Sequence, residues 1–84
     1  MYEYYLTFRS MTSAQSAVFS LYHHGITASL TRIPKQLSKA GCGYGIKLIG
    51  ADAYAAASIL RQEGRPYERV FRLRNGQIPE EVYL

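Results

Sequence analysis

A single cysteine, Cys42, stands between Gly41 and Gly43, with Lys35 and Lys39 ahead of it and Lys47 behind. The thiolate is the strongest nucleophile this chain can offer, and neighbouring ammonium groups favour thiolate over thiol. Two flanking glycines let a backbone approach closely and keep bulky side chains away from the sulfur. The competing reading is a small hydrophobe tucked under a loop, because free cysteines are among the most buried residue types. One cysteine cannot run an internal dithiol cycle, staple a secreted scaffold or assemble a cysteine-rich metal site. What remains is carriage of a sulfur or selenium atom as a persulfide or selenosulfide, acyl transfer, or oxidation sensing through a sulfenate.

Acyl transfer needs a general base, and His23 and His24 are the only histidines. Adjacent helical positions point about 100° apart, so the pair cannot act on one group. A two-histidine metal site would want i, i+4 spacing. Both histidines fall at the end of a helix and read as solvated or structural. Acyl transfer is thereby disfavoured, carriage of a sulfur or selenium atom and oxidation sensing both stay open, and the residues imply no metal and no bound cofactor.

These residues need a scaffold, and 84 residues of 9.5 kDa provide one domain and not two. Hydrophobic residues make up 48% and charged residues 19%, a folding composition and not a disordered one. Ten Lys and Arg against six Asp and Glu give a net charge of +4. No acidic residue occurs between Tyr4 and Ala51, so the first half is uniformly positive while most carboxylates lie in the second. No apolar stretch approaches the roughly 20 residues of a membrane span, and Met1-Tyr2-Glu3-Tyr4 lacks the basic flank and apolar run of a signal peptide. The expectation is a cytoplasmic protein without membrane contact.

Tyr4, Leu6 and Phe8 alternate with Glu3, Thr7 and Arg9, which predicts a half-buried first strand. Thr12 and Gln15 have capping-box spacing, and Ala14, Ala17, Val18 and Leu21 share one helical face up to His24, with Gly25 as the stop. A second strand is expected over 26–33, ended by Pro34, and a loop over 35–43 carries the cysteine. A third strand follows over 44–49 with Ile46 and Leu48 toward the core and Lys47 opposite. Asp52 is the expected cap of a second helix in which Ala53, Ala56, Ala57 and Leu60 face inward, and Gly64 closes it. Residues 67–73 read as a fourth strand. Asn75-Gly76 is a turn signal before a short tail, 78–84, that can pair or dock. The pattern is an α+β, ferredoxin-like split βαβ arrangement (βαββαβ), with two helices on one face of a four-stranded antiparallel sheet. One domain is expected over 1–84, with 75–84 as its turn and tail.

With these elements in place, the chain resembles the selenium/sulfur (Se/S) carrier protein-like family, formerly a domain of unknown function. The resemblance covers about residues 3–64. It is carried by Phe8-Arg9-Ser10 near the first strand, Pro34, Leu37-Ser38, Cys42-Gly43 and a basic residue, Lys47, in the following apolar strand. It implies a protein that holds sulfur or selenium on Cys42 for delivery to a partner enzyme. Gly41 and Gly43 would expose the thiol, Ser38 would cap or hydrogen-bond it, and Lys35, Lys39 and Lys47 would keep it ionised and offer docking charge. Its partners would be chalcogen donor and acceptor proteins.

Two other readings compete. A basic four-stranded sheet with aromatics is also the RNA-recognition architecture, and Gly43-Tyr44-Gly45-Ile46 resembles the centre of its third-strand motif. That motif would put Tyr44, Ile46 and Leu48 on the open face and force the Lys47 ammonium into the core, which is costly enough to disfavour it. Alternatively the chain is an interaction module that forms a homodimer through an edge strand or the tail, helped by a Tyr-rich surface including Tyr2, Tyr5, Tyr22 and Tyr83. Arg65, Arg69, Arg72 and Arg74 read as a solvated basic run.

Overall fold

The computed structural model describes residues 2–33, 43–74 and 78–84. Lys35, Ser38, Lys39, Gly41 and Cys42 lie outside the described residues, as do Pro34, Asn75 and Gly76. The elements run β1 (Tyr2–Thr7), α1 (Met11–His23), β2 (Ser29–Arg32), β3 (Tyr44–Ile49), α2 (Asp52–Gln62), β4 (Arg69–Arg74) and β5 (Glu80–Val82). All strand pairs are antiparallel in one sheet ordered β2-β3-β1-β4-β5.

The central strand, β1, sets the register. Leu6 faces Ile46 on one side and Val70 on the other, and Tyr4 faces Leu48 and Arg72. Partners directly opposite in an antiparallel ladder share a face. The alternation of Tyr4, Leu6, Ile46, Leu48 and Val70 thus builds one apolar face, and all five belong to a single buried cluster with α1 and α2. The helices meet it through Ala14, Ala17 and Leu21 of α1 and Ala53, Ala56 and Leu60 of α2. Alanine at most of these positions lets the helix axes approach the sheet closely, while Leu6, Leu21, Ile46, Leu48 and Leu60, at 0–1% exposure, fill the space between. The opposite sheet face carries Glu3, Tyr5, Lys47, Arg69 and Phe71.

Three local expectations are corrected. The sheet has five strands where four were expected, because the tail pairs with the outer edge of β4, with Val82 opposite Val70. That pairing occupies backbone groups that a four-stranded sheet would leave open. It is flanked by ion pairs of Arg72 with Glu80 and Arg69 with Glu81. The cap of α1 is Ser10 and not Thr12: Ser10 is extended (φ −149°, ψ 163°) and its Oγ accepts the Ser13 N–H at 3.1 Å. β1 ends at Thr7, so the chain turns into the helix earlier than the Thr-x-x-Gln signal suggested. Ala51, in helical geometry without a side-chain cap, precedes α2, and Asp52 lies inside its first turn, where a carboxylate suits the helix dipole. Among the described residues no helix is long and apolar enough to cross a membrane.

Candidate functional site

The 34–42 segment connects β2 to β3, and the described residues at its two ends are joined: the Ile33 N–H donates to the Gly43 carbonyl at 2.6 Å. Gly43 has φ +85°, and a Cβ there would meet nothing within 4 Å. Glycine is needed at this point for the left-handed turn into β3, where an L side chain costs about 1–2 kcal/mol. The expected reason, close backbone approach, applies instead at Gly45, where a Cβ would stand 2.3 Å from the Leu6 carbonyl oxygen and 2.8 Å from Ile33 Cδ1. Gly45 therefore lets β3 lie against β1 and lets Ile33 fold over the base of the segment. The sequence reading took Gly45 only as part of an aromatic motif and missed this.

Lys47 lies four residues into β3, roughly 13 Å along an extended strand from Gly43. It is on the open face, as its phase requires, and its Nζ is 3.8 Å from a Glu3 oxygen, both side chains more than a third exposed. The expectation of a positive field without acidic opposition is thus corrected at Lys47, since the antiparallel register brings the N-terminal carboxylate beside it. Two other cations sit nearer the ends of the segment. Arg32, the last residue of β2, lies with its guanidinium 5.6 Å from the Tyr44 ring centre. Arg9 follows β1, where the Phe8 N–H reaches the Tyr44 carbonyl at 3.4 Å. Neither Arg9 nor Arg32 is ion-paired among the described residues. Both were visible as charges in the acid-free half, and only the strand order places them at the same end of the sheet as Gly43.

Glu63, Glu80 and Glu81 of the second half are engaged elsewhere. Arg65 pairs with Glu63 at 3.4 Å, and Arg72 and Arg74 lie over the Tyr2 ring at 4.5 and 5.6 Å. The arginines of β4 therefore divide between the two sheet faces, not one solvated run. Ser20, Glu63 and His24 have the residue types of a hydrolytic triad. Their connectivity is wrong for one: Ser20 donates to Glu63, and His24 contacts the same carboxylate at 2.9 Å without reaching the serine. The cluster ties the ends of α1 and α2 together. The Glu63 carboxyl is held below its ordinary range, first by the Ser20 hydroxyl and then by His24.

The phase of β3 does not favour the RNA-binding reading. Ile46 and Leu48 are 0% and 1% exposed under the helices, and Tyr44 shares their side of the strand. The open-face positions of β3 are Gly45, Lys47 and Ile49, none of them a stacking platform.

A family model described as "Putative Se/S carrier protein-like" matches residues 3–72, a span that includes Cys42. Neither a curated protein nor a solved structure matches the chain.

Proposed function

The chain belongs to the Se/S carrier protein-like family, and from that premise we propose that it carries sulfur or selenium on Cys42 and hands the atom to a partner enzyme. The observation that carries this reading is a family match that spans the chain's single cysteine. The frame fits as a ferredoxin-like arrangement extended by the edge strand β5, a scaffold that presents one connecting segment between two hydrogen-bonded strand ends.

The loading step is a thiol exchange. The Cys42 thiolate attacks the terminal sulfur of a donor cysteine persulfide. A new S–S bond forms on Cys42, the donor's S–S bond breaks, and the donor cysteine leaves as thiolate while the proton stays on the transferred sulfur. Unloading is the same exchange onto the acceptor. Selenium in the terminal position gives the selenosulfide by the same bookkeeping. In this reading the roles of Lys35 and Lys39 would be to favour the ionised nucleophile, that of Ser38 to cap or hydrogen-bond the sulfur, and that of Gly41 and Gly43 to expose it. Arg9 and Arg32, without an ion pair among the described residues, add positive charge at that end of the sheet and suit donor and acceptor proteins with acidic surfaces. We place the protein in the cytoplasm, where a lone thiol stays reduced.

The test is intact-mass spectrometry after incubation with a persulfidated donor cysteine desulfurase. The expected result is a gain of one sulfur atom mapped to Cys42, reversed by reductant and abolished in Cys42→Ser. Folded protein should also react with a thiol reagent faster at neutral pH than free cysteine does. Absence of the adduct on native protein, or its persistence in Cys42→Ser, refutes the reading.

A further inference from the structure

Between the first turns of α1 and the connection from α2 to β4 runs a groove of about 480 Å³, within the roughly 300–1,000 Å³ span of small-molecule sites. Its α1 wall offers the hydroxyls of Thr12, Ser13 and Ser16, and the facing wall is Arg65 and Tyr67, with Arg9 beside them. The Arg65 guanidinium reaches across to donate to Ser16 Oγ and is braced by Glu63 at 3.4 Å. Its planar fork is thus held in place before any ligand arrives. Arg9 is exposed and has no ion-pair partner among the described residues. Glu68 is the one carboxylate on the lining, and Glu63 pairs with Arg65 from outside it, so Arg9 is the guanidinium left without a carboxylate partner among the described residues. Pro66 and the half-buried Tyr67 supply apolar surface.

From this cavity and its arginine pair we propose that the groove binds a small molecule bearing a phosphate group. Guanidinium groups match phosphate oxygens in bidentate geometry, and hydroxyl donors complete the shell. The volume left over accommodates an organic body against Pro66 and Tyr67. The groove shares Arg9 with the positive end of the sheet, but binding there does not depend on the chemistry at Cys42.

The experiment is an amide-detected NMR titration of the full chain with inorganic phosphate and, in parallel, with phenyl phosphate, at constant ionic strength set by chloride. Saturable shifts confined to residues 9–16 and 64–68 are expected, unchanged in Cys42→Ser. Arg9→Gln, which breaks no ion pair among the described residues, should weaken binding by about tenfold, and Arg74→Gln, at the opposite end of the sheet, should leave it unaltered. Tighter binding of phenyl phosphate assigns an organic phosphate, and equal binding assigns the free ion; both uphold the site. Shifts scattered over the basic surface, or equal losses in Arg9→Gln and Arg74→Gln, overturn it.

Discussion

Gly43 and Gly45 stand two residues apart and are glycine for different reasons. Gly43 is dictated by a backbone angle in open space, and Gly45 by contact with the β1 carbonyl. Their alanine variants should separate in urea unfolding. Gly43→Ala should cost about 1–2 kcal/mol from the left-handed backbone. Gly45→Ala should cost as much or more, about 1–3 kcal/mol, since the methyl group must push two strands apart. A neutral Gly45→Ala would contradict the close approach. At Glu63 the controlling variable is pH. Its carboxyl is lowered from the ordinary 4.5 by hydrogen bonds that only the folded state makes, Ser20 before His24. A depressed folded-state value means the contribution is present above pH 4.5 and is lost as pH falls through that lower value. The stability gap between the wild type and Glu63→Gln should therefore be widest near neutrality and close in acid, as read by chemical denaturation across pH. A gap independent of pH would rule out the linkage. None of this was legible from residue types alone: Glu63 and Ser20 are 43 positions apart.

At the scale of elements, alternation and three-four spacing located four of the five strands and both helices, because each pattern records which side chains must leave water. The fifth strand was legible only as a tail able to pair. Val82 covers Val70, and the Leu84 carbonyl accepts from Arg61 and from Tyr67 at 3.1 Å. A chain ending at Gly76 loses these contacts and reopens the edge of β4. It should melt several degrees lower by calorimetry, given about 4–8 °C per kcal/mol in a domain of this size. Unchanged melting would mean that β5 contributes nothing to stability. The caps moved for an equally local reason. Thr12 and Asp52 have the right chemistry, but where a helix begins depends on where the preceding strand releases the chain, and that is set by the sheet.

Across the molecule, both helices cover one sheet face and, among the described residues, no helix covers the other, which is why the phase of β3 follows from Lys47 alone. An ammonium must be on the wet side when the core side holds Ile46 and Leu48. The acid-free first half was equally plain. What sequence could not reveal was the redistribution of its charge. Antiparallel pairing carries Glu3 to Lys47, and the β4–β5 hairpin sets Glu80 and Glu81 against Arg72 and Arg69. Arg9 and Arg32 are left at the end of the sheet where the cysteine-bearing segment begins and ends. Periodicity, the lone thiol and the family motif are properties of neighbours along the chain, so the sequence determined them by itself. The pairing of distant charges, the contact at Gly45 and the arginine-lined groove depend on register between strands far apart in sequence. Only folding fixes that register, because burial of one continuous apolar face selects it over every alternative.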